Sequence, residues 1–189
     1  AALHLVLAPA MVSASAWNFI GTFGGVVERG YASLPKDEAI EHDRVFILAA
    51  PDPLLTYYMF LEGYVSGQPS PRDAHILTAQ DGNMATLERT GERVLRISSS
   101  ETLTGGPFGP LYRDRPLAVG DTFTTAHFDA RVLSTAEEGG ATDIEFRFAE
   151  PLERYRFIAW EEKGFIDTTP PAVGASRPLP GTSFFDLVR

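Results

Sequence analysis

Val45-Phe46-Ile47-Leu48-Ala49-Ala50-Pro51-Asp52-Pro53-Leu54-Leu55 is the stretch on which the fold turns. Alternate side chains of a strand point to opposite faces, so the unbroken apolar run Val45 to Ala49 suits a strand covered on both sides. Asp52-Pro53 then starts a helix. The carboxylate accepts from free amides of the first turn, and proline at the first helical position has no amide to lose. The helix is predicted from Pro53 to about Tyr64, ending near Gly67. Leu54, Leu55, Tyr57, Tyr58, Met59, Phe60 and Leu61 leave it almost no polar face, which predicts burial on more than one side. Pro69-Ser70-Pro71 breaks the chain, and Ala74-His75-Ile76-Leu77-Thr78 reads as the next strand. Strand, helix and strand at this spacing predict a βαβ crossover between parallel strands.

Downstream the pattern changes to short alternating segments. Leu87 to Ser98 is a hairpin candidate turning at Thr90-Gly91. Thr122 to Leu133 alternates as one strand, with Phe128, Ala130 and Val132 on one face and His127, Asp129 and Arg131 on the other. Glu137-Glu138-Gly139-Gly140 is a turn, and Asp143 to Phe148 places Ile144, Phe146 and Phe148 inward. Tyr155 to Trp160 reads as a third strand of this antiparallel group. Segment 167–182, rich in Pro and Thr, reads as extended chain crossing the surface, and Phe184, Phe185, Leu187 and Val188 dock the end. The fold class expected is α+β: an N-terminal helix and one βαβ unit joined to a mainly antiparallel β sandwich or partial barrel.

Upstream, the chain begins Ala1-Ala2-Leu3 and carries no Asp, Glu, Lys or Arg before Glu28. Phe19, Ile20, Phe23, Val26, Val27 and Tyr31 recur at helical spacing, with Ser13 or Ser15 as cap and Pro35 as stop. One reading is a core helix packed on the domain. The other is a leader lying at, or emerging from, a membrane surface. Both hold in sequence order if residues 1–12 lie near lipid and residues 15–33 pack on the domain. The expected division is an apolar leader and helix over 1–34 and a single β-rich domain over 35–189.

Composition narrows the chemistry. The 189 residues include 16 basic and 25 acidic side chains, a net charge of −9 that argues against a nucleic-acid partner. The absence of cysteine excludes thiol catalysis, Fe–S clusters and thiolate zinc. His4, His42, His75 and His127 are far apart and form no HxH or HExxH group. His127-Phe128-Asp129 puts two ligand types on one strand face, a pair that half-exposed strands produce routinely, so neither a metal nor a cofactor is expected. No GxSxG elbow is present, and Ser98-Ser99-Ser100 has no assignable base. Gly21-Thr22-Phe23-Gly24-Gly25 and the loop Thr104 to Pro110 lack the context of a phosphate cradle. The best single site is the loop at Pro51-Asp52, because ligands of open α/β sheets bind beyond the carboxyl ends of strands. Asp52, Tyr57, His75 and Trp160 are the candidate ligand-binding residues, and no catalytic residue is assigned.

Leu3-His4-Leu5-Val6-Leu7-Ala8-Pro9, Phe46 to Asp52, and Ile144 to Phe148 with Pro151-Leu152-Glu153 and Trp160 together carry a family likeness. The chain resembles, over nearly its whole length, the C-terminal soluble region of uncharacterised bacterial multi-pass membrane proteins. It departs from that pattern at Ala49-Ala50, where Val-Asn is expected before Pro-Asp. The resemblance implies a long hydrophobic portion ahead of a β-rich domain. It also implies a place at the bacterial cell membrane, with the soluble part facing the periplasm or exterior. The implied partner is the membrane-embedded portion of the same polypeptide, and no catalytic residues carry over. The functional expectation is a binding or docking domain without an enzymatic role. One alternative is a hydrolase beside Asp52 and His75, which needs a deep pocket joining Asp52 to a histidine and a hydroxyl. The other is a sensor of a small ligand, which needs an apolar pocket lined by Tyr57, Tyr58 or Trp160.

Overall fold

Strand β1 (Arg44–Ile47) lies at the centre of the protein, and a computed structural model describes residues 21–104 and 115–187 around it, the Phe184 side chain excepted. A helix α1 occupies 21–33, followed by a 3-10 turn Glu38–Glu41 and β1. Helix α2 (Pro53–Val65) leads to β2 (Asp73–Ile76). Then come β3 (Ala85–Gly91), β4 (Val94–Ser99), β5 (Thr122–Thr124), β6 (Phe128–Thr135) and β7 (Ala141–Phe148). A 3-10 turn Leu152–Arg154 precedes β8 (Arg156–Glu161), β9 (Gly164–Thr168), β10 (Ser176–Leu179) and the short helix α3 (Phe184–Leu187).

The strands form two sheets. One is four-stranded, in the order β2-β1-β8-β9, and the other six-stranded, in the order β10-β3-β4-β7-β6-β5. β1 runs parallel to β2, with Phe46 opposite His75, and parallel to β8, with Phe46 opposite Phe157. The expected βαβ unit is therefore formed by β1, α2 and β2. All pairings in the six-stranded sheet are antiparallel.

β1 is covered on both faces because its residues alternate between two cores. Phe46 and Leu48 face the six-stranded sheet, packed with Leu87, Ile97, Phe146 and Phe148. Val45 and Ile47 face the helices, packed with Val26, Tyr31, Leu55 and Met59. The architecture is thus three layers, helices on a mixed sheet on an antiparallel sheet, with no closed barrel among the described residues. Helix α1 belongs to the same core as α2. Gly30 and Gly63 permit the close approach, since a Cβ at Gly30 would overlap the Met59 side chain and one at Gly63 would sit 2.5 Å from the Tyr31 ring. Among the described residues no helix is long and apolar enough to cross a membrane. The expectations for residues 1–12, for Ser13, Ser15, Phe19 and Ile20, for the loop beyond Thr104 and for Val188 lie outside the described residues.

Several local expectations are corrected. α2 buries one face only, on Leu55, Thr56, Met59, Phe60 and Gly63, and leaves Tyr57, Tyr58, Leu61, Tyr64 and Val65 exposed. Three of those five are tyrosines, whose hydroxyls tolerate water. The β3–β4 hairpin turns at Glu92-Arg93 rather than Thr90-Gly91. There the Arg89 guanidinium donates to the carbonyls of Gly91 and Glu92, at 3.2 and 3.1 Å, and satisfies the turn. The segment 122–133 is two strands joined by a turn. β8 belongs to the four-stranded sheet and not to the antiparallel group, consistent with Phe157-Ile158-Ala159-Trp160 being buried on both faces as β1 is. Segment 167–182 contains β10, which pairs with β3 as an edge strand where Pro178 is tolerated.

Candidate functional site

Strand β2 is the edge of the four-stranded sheet, while the opposing sheet runs on through β6 and β5. The overhang leaves part of the inner face of the larger sheet uncovered. A cavity of about 410 Å³ lies there, walled by Ile76 and Leu77 at β2, Val132 on β6, Phe146 on β7 and Tyr57 of α2. Phe123 and Phe128 complete its aromatic side. The volume falls within the range of small-molecule sites, roughly 300–1,000 Å³. Among the described residues lining it, Tyr57 alone carries a titratable group, and Thr78 and Thr104 are the other polar side chains. The Thr78 hydroxyl is already engaged, donating to the Leu48 carbonyl at 2.5 Å and accepting from Gln80 Nε2 at 3.1 Å.

Asp52 takes the structural position its sequence context indicates. Its backbone is extended, and Oδ1 accepts from the Leu55 amide at 3.0 Å. The residue is fully buried, and Oδ2 has no hydrogen-bond partner. Burial pushes the Asp52 carboxyl above the usual carboxylate range, against the lowering effect of the Leu55 and Leu54 amides, and the Asp81 charge pushes the same way as burial. Asp52 does not line the cavity. It also lies past the carboxyl end of β1, whereas His75 pairs with Phe46 within that strand. Neither Asp52 nor His75 lines the cavity, so the cavity does not join Asp52 to a histidine. Trp160 is only 2% exposed, its ring edge-on to Phe165 at 5.0 Å in the helix-side core. It packs among the residues of that core and does not line the cavity. Of the four candidates, Tyr57 alone borders the cavity, where it is 50% exposed.

His75 stands in a second arrangement beside the cavity. Asp73 and His75 are two apart on β2 and share a face, and the chain entering β6 brings His127 to them. His75 Nε2 lies 3.1 Å from Asp73 Oδ1, and His127 Nε2 lies 3.0 Å from Asp73 Oδ2. The potential ligand atoms of all three residues fall within 4.8 Å of one another. The His75 ring stacks on Phe46 at 5.3 Å and meets His127 edge-on at 5.5 Å. Side-chain exposures of 43% for Asp73, 27% for His75 and 19% for His127 make the cluster half-buried and open to solvent on one side.

The placement of His127 differs from the sequence expectation. β6 begins at Phe128, and His127 lies in the preceding turn. The Thr125 hydroxyl accepts from the amides of His127 and Phe128, at 3.1 and 3.0 Å, so the imidazole approaches Phe46 instead of following the outer face of the strand. Asp129, expected beside His127, accepts from Thr124 Oγ1 at 2.7 Å. Sequence reasoning missed Asp73 altogether. The signal was the two-residue spacing of Asp73 and His75, which in a strand puts both on one face.

No protein-family model, no curated protein and no solved structure matches this chain.

Proposed function

We propose that this chain is a non-catalytic binding domain that takes a small apolar molecule into the cleft between its sheets. The cavity walled by Ile76, Val132, Phe146, Phe128 and Tyr57 carries the reading, because an uncovered apolar face of this size gains from displacing water onto a ligand. Burial of Asp52 on helix amides, away from the cleft, supports binding over hydrolysis. The setting is the one the sequence resemblance implies: a soluble domain outside the cytoplasm, attached to the membrane-embedded part of a bacterial polypeptide. The charge-free residues 1–27 support that setting. Removal of residues 1–14 is then expected to abolish flotation of the chain with liposomes, and unchanged flotation would remove the lipid contact from the proposal.

Methyl-labelled protein titrated with indole as an apolar probe tests the cleft. Saturable shifts are expected at Ile76, Val132 and Ile144, and Ala130→Leu, which narrows the cavity from β6, is expected to weaken binding at least about fivefold. Shifts scattered over the exposed face of α2, or none that saturate, would overturn the reading.

A further inference from the structure

We propose that Asp73, His75 and His127 bind a divalent first-row transition metal ion, with Zn²⁺ as the reference ion. Two imidazoles and one carboxylate are the donor set of open zinc sites and of the facial triad of non-haem iron. Both imidazoles turn the same atom, Nε2, toward one carboxylate, and each meets a different oxygen. Donors about 2.0–2.1 Å from a tetrahedral zinc ion stand roughly 3.3 Å apart. The observed separations of 3.1 and 3.0 Å, each to a different carboxylate oxygen, are short of this by a few tenths of an ångström, and all three donors lie within 4.8 Å of one another, so adjustment of the side chains admits the ion.

The frame around the donors is fixed from several sides. Asp73 and His75 sit in a paired strand. His75 is stacked on Phe46, which is fully buried, and Phe128 closes on its edge at 5.6 Å. The Thr125 turn holds the backbone of His127 on one side, and the His127 carbonyl accepts from the Ala149 amide at 2.8 Å on the other. The apolar shell of Phe46 and Phe128 strengthens attraction between the ion and the carboxylate by excluding water from one side. The nearest competing cation in register is Arg44, opposite Asp73, and its guanidinium is taken up by Glu150 at 2.5 Å. The solvent-facing side of Asp73 leaves room for water or a further ligand to complete the coordination. An edge-on histidine pair sharing one carboxylate is also the geometry of a hydrogen-bonded trio, and titration separates the two.

Tag-free full-length chain, dialysed against chelator, is titrated with Zn²⁺ by calorimetry and with Co²⁺ by visible absorption. One saturable equivalent is expected, with a Co²⁺ spectrum of low-symmetry nitrogen and oxygen coordination. Asp73→Asn and His127→Gln are each expected to weaken binding at least about tenfold, while His42→Gln leaves it unchanged. Paramagnetic broadening of the His75 and His127 imidazole signals by Co²⁺ in the unsubstituted chain reports the site even where a variant folds poorly. Absence of a saturable equivalent, affinity in Asp73→Asn and His127→Gln unchanged from the unsubstituted chain, or broadening confined to other residues would overturn the proposal. The result is independent of the apolar cleft, since indole binding and Zn²⁺ binding are read separately.

Discussion

Replacing Phe46 by alanine tests the three-layer architecture at its centre. Phe46 is fully buried, and its ring centroid lies 5.0–6.5 Å from those of His75, His127, Phe128, Phe148, Tyr155 and Phe157. Phe→Ala substitutions in cores cost about 3–5 kcal/mol, as lost transfer energy plus the cavity left behind. Aromatic pairs add about 0.5–1.5 kcal/mol each beyond burial. Six ring neighbours drawn from both sheets, and paired strands that restrict collapse into the void, place Phe46→Ala at the upper end, about 5 kcal/mol. For a chain of this size that corresponds to a fall in Tm of roughly 10–20 °C. Thermal unfolding followed by circular dichroism measures it, with Phe123→Ala, half-exposed on β5, as the comparison. A fall below about 4 °C, or one no larger than that of Phe123→Ala, would show that the two sheets do not close on Phe46.

Other substitutions probe the capping, the helix contact and the surface charges. Asp52→Ala is expected to cost about 1 kcal/mol through loss of the cap. Because burial raises the folded-state pKa of Asp52, its proton contributes stability at low pH that is lost as pH rises from about 4 through that raised value. Asp52→Asn should therefore gain on the unsubstituted chain over that interval in urea melts, and a constant difference would refute it. Gly63→Ala would gain about 1 kcal/mol from helix propensity alone, yet its Cβ would press on the Tyr31 ring and on Ser70 Cβ at 2.5 and 2.8 Å. Overpacking at about 1–3 kcal/mol decides for a net loss, measurable as a lower Tm. Arg156 bonds Asp37, Asp43 and Asp167 at 2.7–3.3 Å, and its guanidinium beside Asp37 holds that carboxyl below the usual carboxylate range. The stability lost in Arg156→Ala is expected in full at pH 5 and to shrink below about pH 4, where Asp37 protonates in the unfolded chain first. A gap unchanged between pH 5 and pH 3 would refute the pairing.

The legible parts of the fold were those whose signal is local. Five apolar residues from Val45 to Ala49 required cover on two faces, and Asp52-Pro53 required a helix start; both requirements are written in adjacent residues, although the cover on one face comes from Leu87, Ile97, Phe146 and Phe148 far along the chain. β8 carries the same kind of apolar run as β1, but no local feature says which sheet takes it. Its partner is chosen by contact with Phe46 and Ile47, more than a hundred residues earlier. The edge strand β10 was hidden by Pro178, whose missing amide matters little when only one side of the strand is paired. The outer face of α2 shows the opposite error. An almost wholly apolar helix is read as buried on more than one side, yet among the described residues nothing covers Tyr57, Leu61 and Tyr64, which are exposed.

Both candidate sites follow from one property of β2, its position at an edge. β1, one strand inward, has Val45, Phe46 and Ile47 sealed, whereas every residue of β2 is half-buried. Only there can Asp73 and His75 face the space between the sheets without the desolvation cost that an interior strand imposes on a carboxylate. The same edge ends the cover over β6 and opens the cleft, with Phe128 walling the cleft and bordering His75 at once. A further strand paired to β2 would cover this edge and bury the Asp73 carboxylate, so both proposed sites depend on the shortness of the four-stranded sheet. Sequence analysis could place Asp73 and His75 on one strand face. It could not place His127 beside them, because that depends on how far the larger sheet extends past the smaller one.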